Sequence, residues 1–427
     1  MKKSLSVLLA LCLLAALFCA CGKGETASGS QGEGDLSQLP RLTLCVDLGT
    51  EVLGPQISQI TDALPGSWKE YMVITETVPV DGPERENTLT RLRTEILAGK
   101  GPDVFLCNNA VWAFRGTRGL FPFPEKAMKN RIFLPLDSYI EKAQFMDWDK
   151  QVPAVMEAGR GEEGQMLLPL GFNLPVTLFP KETGGLTEKL PMPWAESLES
   201  GDRRVSYAAT WCGLEDILGQ VADYGKDAPV FTEEHLLEIA EKWVDQKNRI
   251  DRGEYPEFTE YVPDFDNYRS LPEIWTGPVY GFGAEIDLEG QDYYMIPACS
   301  EAGGLTAQIS AFGGVNRNTQ MPQEAFTLLD YIMSENMQRT FLYGYTNGFA
   351  PQRGLAQKDK TIGGKTASQW NMDQYNGLLE KIDRADFYTE VNEQLWSILS
   401  AVNEERKPLE SSVHKAYTTI QMLLAES

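Results

Sequence analysis

The sequence predicts an α/β protein of two domains, on three observations. Short apolar runs of β character alternate with helical periodicity between residues 41 and 107. Roughly 400 residues follow the N-terminal leader, which is the length of two domains. Amphipathic helical patterns then recur as far as the C-terminus.

The leader is not expected to be part of the fold. Lys2 and Lys3 precede an apolar run from Leu5 to Ala20, the pattern of a signal peptide. The run is too short to cross a bilayer comfortably, where about 20 apolar residues are wanted. It ends in "LFCACGKGE", with Cys21 between Ala20 and Gly22. That resembles a bacterial lipoprotein cleavage box, although Phe18 and Cys19 stand where Leu and a small residue are commoner. The expectation is a signal segment 1–20 and a lipidated Cys21; the plainer alternative is an ordinary signal with a coincidental cysteine. Residues 21–40 are rich in Gly, Ser and Glu and nearly free of apolar side chains, which suits a flexible tether.

"RLTLCVDL" (41–48) and "YMVITETVPV" (71–80) read as strands, with room for a helix between them. Leu89, Leu92, Ile96 and Leu97 recur at helical spacing, and Arg91, Arg93 and Glu95 fill the other face. Gly99 ends that helix as a C-cap glycine would, Pro102 blocks its continuation, and "DVFLC" (103–107) is the next strand. Strand, helix, strand, helix, strand predicts a doubly wound lobe. "GKGPD" (99–103) is then a structural reversal, with Asp103 starting the strand at the rear edge of the sheet. The loop "NNAVWAFRG" (108–116) emerges at the carboxyl end of the strands, where open α/β sheets bind ligands.

Further on, "FLPLDSYIEKA" (133–143) reads as a turn and a helix. "GQMLLPLGFNLPVTLFPKE" (164–182) reads as an extended segment broken by Pro169 and Pro175, and "VSYAATW" (205–211) as a strand. Helices are predicted over 231–246, over 321–344 with Pro322 near its start, and over 408–427 with Val413, Tyr417, Ile420 and Leu424 on one face.

Composition removes several functions. A formal charge of −23 argues against a nucleic-acid partner and against docking on anionic lipid. Cys45, Cys107, Cys212 and Cys299 are widely spaced and form no Cys-x-x-Cys. Cys45 and Cys107 fit either a disulfide between neighbouring strands or buried thiols. His235 and His414 are the only histidines, and both read as exposed helix positions. No Gly-x-Ser-x-Gly, His-Glu-x-x-His or Walker loop occurs; "IGGKTAS" (362–368) lacks the first Walker glycine. No carboxylate spacing marks a glycosidase pair, and "PDFDNYRSLPE" (263–273) lacks the central glycine of a calcium loop. No cofactor or metal is expected, and a surface-anchored hydrolase is the weaker reading.

The order of motifs resembles the extracellular solute-binding proteins of ABC importers, in the maltose-binding-like family. The segments are "ILAGKGPDVFL" (96–106), "FLPLDSYIEK" (133–142), "MLLPLGFNLPVTLFPKE" (166–182), "GGLTAQISAFGGVNRNTQMPQEAFTLLDYIMSENMQ" (303–338), "NGFAPQRG" (347–354) and "VHKAYTTIQMLLAES" (413–427). The resemblance implies a two-lobe periplasmic-binding-protein-like fold of class II, each lobe a doubly wound sheet with helices on both faces, joined by a hinge. Lobe 1 would hold 41–170 and the return segment 305–346, and lobe 2 would hold 171–304 and 347–427. It implies a monomer that binds an oligosaccharide between the lobes and performs no chemistry. A membrane permease of the ABC type would be its partner, and a lipid anchor would hold it on a Gram-positive-type cell surface. One departure stands out: the strand-helix unit usual in the second lobe is not recognisable in 250–283, where only "TGPVYGFG" stands in for its loop.

Sugars need aromatic platforms for their C–H faces and planar polar groups for their hydroxyls. Motif position then selects Asp47, Asn108, Asn109 and Trp112 in the first lobe and Phe172 and Asn173 in the crossing segment. It selects Trp211, Trp275 and Tyr280 in the second lobe, Gly303 and Gly304 for close backbone approach, and Tyr388 and Trp396 as late stacking aromatics. For each aromatic the plainer reading is a core residue. A peptide, polyamine or organic anion in the same cleft stays open, with Arg115, Arg118 and Arg317 near the candidate loops, as does service to a sensor instead of a permease.

Overall fold

The computed structural model describes residues 39–47, 71–109, 119–181, 184–186, 189–259, 275–279, 292–340, 349–355, 368–403 and 405–426. The signal, Cys21, the helix expected after residue 48, Trp112, Arg115, Arg118, Tyr280 and the calcium-like stretch 263–273 lie outside them.

Strands β1 (Arg41–Asp47), β2 (Met72–Thr77) and β3 (Val104–Asn108) run parallel in the order β2–β1–β3, with helix α1 (Gly82–Leu97) between the second and third. Alternation of side chains sends Leu42, Leu44, Val46, Val104 and Leu106 to one face and Cys45, Phe105 and Cys107 to the other. Leu89, Leu92 and Ile96 of α1 cover the second face. Leu97 does not: it is 81% exposed, because one residue past Ile96 is a rotation of about 100° off the apolar stripe. Cys45 and Cys107 are buried free thiols; Cys45 stands opposite Phe105 and Cys107 opposite Asp47.

The "GKGPD" reversal is structural. Gly99 and Gly101 take φ of +73° and +94°, which only glycine adopts without strain. Asp103 accepts the Thr43 N–H at 2.8 Å and the Thr319 hydroxyl at 2.5 Å. Asn316 donates to the carbonyls of Lys100 and Pro102.

After α2 (Pro124–Lys129), α3 (Asp137–Ile140), a 3-10 turn (Trp148–Lys150), α4 (Pro153–Glu157) and a short hairpin β4 (Arg160–Gly161) with β5 (Gly164–Gln165) comes β6 (Leu167–Pro180). The prolines do not break β6, contrary to the expectation. Pro169 lies opposite Phe312, where the partner's register is irregular, so its missing N–H disturbs little. Pro175 keeps its carbonyl in use, accepting from Ala298 N–H.

The second half carries α5 (Trp194–Leu198), α6 (Arg203–Ala209), α7 (Leu214–Leu218), a small hairpin β7 (Ala222–Asp223) with β8 (Ala228–Pro229), α8 (Glu233–Asp251), α9 (Pro256–Thr259), β9 (Trp275–Val279) and β10 (Tyr293–Pro297). "VSYAATW" is thus a helix, not a strand. Asp202 caps it by accepting Arg204 N–H at 3.1 Å, and its apolar residues pack in patches on Phe179 and Ile296. Strand β11 (Leu305–Val315) follows, then α10 (Pro322–Ile332) and α11 (Glu335–Thr340) where one long helix is predicted. Ser334 lies between the two, its N–H donating to the Tyr331 carbonyl and its own carbonyl accepting Gln338 N–H. The chain closes with α12 (Gln369–Leu379), β12 (Ile382–Phe387), α13 (Glu390–Asn403) and α14 (Leu409–Glu426). On α14, Val413, Ile420 and Leu424 are buried and Tyr417 packs beside them, as the periodicity predicts.

These strands form one mixed sheet, β10–β6–β11–β3–β1–β2, with β9 also beside β6 and β12 also beside β11. α10 covers one face of the parallel part, with α1 on the other. Beyond, α12 and α6 cover β10 and β6, and α5, α7, α8, α13 and α14 enclose a helical core around Trp194 and Trp243.

Candidate ligand-binding site

The two long strands exchange partners at the same level. From Leu167 to Asn173, β6 pairs with β11; from Leu174 onward it pairs with β9 and β10. On its other edge β11 pairs with β12 up to Ile309 and with β3 from Ala311. Phe349 joins the crossing, exchanging two backbone hydrogen bonds with Phe172 at 3.0 and 2.7 Å. The segments expected to cross between lobes, near 171, 305 and 347, therefore lie side by side.

Ser310 sits in this exchange, skipped in the register between Ile309 and Ala311. Its carbonyl accepts Asn109 N–H at 2.6 Å. Asn108 is opposite Ala311, and Asn173 is opposite Gln308. All four polar residues are buried: Asn108, Asn109, Asn173 and Ser310. Among the described residues, Asn109 Oδ1 and Ser310 Oγ have no hydrogen-bond partner. Each unmatched group costs about 1–3 kcal/mol of desolvation. A carbonyl oxygen and a hydroxyl together offer acceptors and one donor, which is the complement of another hydroxyl.

A second polar cluster lies in the helical half. Trp396 donates its indole N–H to Glu215 Oε1 at 2.7 Å, and Glu215 Oε2 is buried without a partner among the described residues. Burial, and then repulsion by Asp216, pushes the Glu215 carboxyl well above the usual range; burial does the same to Asp216, although it accepts Gly213 N–H at 3.0 Å. A Cβ at Gly213 would stand 2.6 Å from the Glu215 carboxylate, which therefore packs close against this stretch of backbone. Trp211 and Trp396 are 44% and 50% exposed, unusual for indoles. Trp211 meets Tyr207 edge-on at 6.1 Å, and Lys247 Nζ lies 4.4 Å from its ring centre. Desolvation pulls the Lys247 amine down to about 8. Tyr388 links the clusters: it follows Phe387, which pairs with Ile309, and its phenol is raised by burial and then by Glu215, Glu393 and Asp216.

The structure thus brings Asn108, Asn109 and Asn173 together at the strand exchange, and Trp396 beside Glu215. Other selected residues go elsewhere. Asp47 is fully buried, bound by Arg85 at 2.8 and 3.2 Å and by Leu120 N–H at 2.7 Å, so its oxygens are already taken. Phe172 is a core side chain against Phe349, with ring centres 6.0 Å apart. Gly303, at φ +83°, turns against Met192 and Pro193, and Gly304 leaves room for the Asp383 carboxylate; protein, not ligand, approaches both. Trp275 opens β9, its backbone opposite Leu178. Arg317 donates to Glu163 and to the Phe133 carbonyl. Ser310 and Glu215 were not selected from the sequence. Their signals were a polar residue inside the apolar run "AQISAFGG" and a glycine two residues before an acidic pair in "CGLED".

Architecture and strand exchange together define a solute-binding-protein fold. The chain is similar to an extracellular solute-binding protein family 1 member from Alicyclobacillus acidocaldarius, with TM-score 0.60 at 14% identity, over 90% of this chain and 98% of that one. It is similar to the sugar-binding protein MalE of Xanthomonas citri, with TM-score 0.59 at 13% identity, over 90% and 98%. A periplasmic oligogalacturonide binding protein from Yersinia enterocolitica gives TM-score 0.58 at 15% identity, over 90% and 99%. No family model matches the sequence, and no curated protein matches it.

Proposed function

We propose that this chain is the substrate-binding lipoprotein of an ABC importer, anchored through Cys21 on the outer face of the cell membrane. It captures a carbohydrate, an oligosaccharide, between two lobes and delivers it to a membrane permease. The observation that carries the reading is the pair of buried, unmatched groups at the strand exchange, Asn109 Oδ1 and Ser310 Oγ. They suit a ligand hydroxyl, and the half-exposed Trp211 and Trp396 suit the C–H faces of sugar rings. The sugar-binding names of two similar structures support the same class. The site binds and releases; it carries out no reaction.

A thermal-shift screen tests this. Oligosaccharides are the panel, with peptides, polyamines and organic acids as controls. A ligand at 100 times its Kd adds about 2.7 kcal/mol of stability, which is readily seen. The expected outcome is a selective shift with one glycan series that is lost in Trp211→Ala. A shift only with an acid or a peptide would keep the fold and overturn the ligand.

A further inference from the structure

Away from the strand exchange, the turn Trp148–Lys150 stands between two cavities of about 700 and 320 Å³. Trp148, Asp149 and Arg160 wall both. The larger adds Asp137, Glu141 and Asp147, and the smaller adds Glu157. Arg160 is already paired with Asp137 at 3.5 Å, and Lys150 with Asp147 at 2.8 Å. Among the described residues no cation is paired with Glu141, Asp149 or Glu157. Gln151 also lines the smaller cavity and is 2% exposed. Its Nε2 donates to the Asp147 carbonyl at 2.9 Å, which leaves Oε1 buried with no donor.

Apart from the committed Arg160, the charged groups that line these cavities are carboxylates, and Gln144 and the Trp148 indole add only neutral polar groups. An occupant must bring N–H donors and positive charge, and an indole wall takes a cation or an alkyl chain equally well. A carboxylate or phosphate is repelled, and a neutral sugar leaves the carboxylates uncompensated. We propose that the two cavities form a second ligand site, which binds a linear diamine or polyamine with an ammonium group in each cavity and its chain across Trp148. This site is separate from the sugar reading above, because it shares no residue with the strand exchange.

Calorimetric titration of the purified chain tests it, with spermidine, butane-1,4-diamine and butylamine as probes. Asp149 and Glu157 are exposed, so Asp149→Asn with Glu157→Gln leaves the fold intact. The double variant is expected to weaken spermidine by about tenfold or more, and raised salt to weaken it further. The diamine should exceed butylamine by about tenfold, while Trp211→Ala leaves both unchanged. Absence of spermidine binding, or binding that survives the double variant, overturns the proposal. Binding lost in Trp211→Ala assigns the amine to the other site and overturns it equally.

Discussion

Asp47 ends β1 and Asn109 directly follows β3, its parallel neighbour, and the structure uses the two in opposite ways. Both are buried and polar, at the edge where α/β sheets bind ligands. Asp47 is matched on every side by Arg85 and Leu120. Asn109 keeps an oxygen that no described residue answers. A polar residue at a strand end is therefore not a ligand contact by position. What decides is whether the protein has already supplied its partner.

Removing one side of the matched pair gives the largest effect. Arg85→Ala leaves a buried carboxylate uncompensated and should cost about 3–5 kcal/mol in urea unfolding. An unfolding midpoint close to the parent's would mean that Asp47 is open to water, and the contrast with Asn109 would vanish.

Ser310→Ala is expected to act in the other direction on stability. It deletes a buried group that already lacks a partner, so the free protein should lose nothing and gain up to about 1 kcal/mol. On the proposed function, affinity for the oligosaccharide should fall about tenfold, the equivalent of 1.4 kcal/mol. Unchanged affinity with raised stability would make Ser310 merely a packing defect.

A further effect is a slope with pH. Glu125 on α2 has its carboxyl pushed up to about 8, chiefly by burial. Its folded pKa exceeds the ordinary value of 4.5, so the folded state holds the proton more tightly than the unfolded chain. The stabilisation from this group is complete below pH 4.5 and is lost as pH rises to about 8. Glu125→Gln should flatten unfolding stability across that window. An identical slope in the variant would place Glu125 in water.

Much of the fold was legible in the sequence, because local physics writes it there. The short apolar runs in "TLCVDL" and "DVFLC" mark strands covered on both faces, and the glycines at 99 and 101 demand the turn they make. "VSYAATW" misled because its β-branched and aromatic residues read as a strand, while the cap that makes it a helix, Asp202, lies outside the stretch. The site was legible only in part. Asn108, Asn109 and Asn173 follow strand ends and a crossing segment, which motif order locates. The partner of Asp47 is 38 residues away, and the skip at Ser310 arises from four strands meeting; neither leaves a mark in local sequence.

The continuity of β6 and β11 has a mechanical consequence. Fourteen and eleven residues long, they pass without interruption through both halves of the sheet. The halves are therefore not beads on a string. Any change in the angle between them must be taken up as torsion in covalently continuous ribbons. Torsion concentrates where lateral ladders are weakest, at the skipped residue and the adjoining irregularity between Ile309 and Phe312. A solute bound to Ser310 and Asn109 would then sit at this irregularity of the sheet, where occupancy and bending are felt by the same few peptide units.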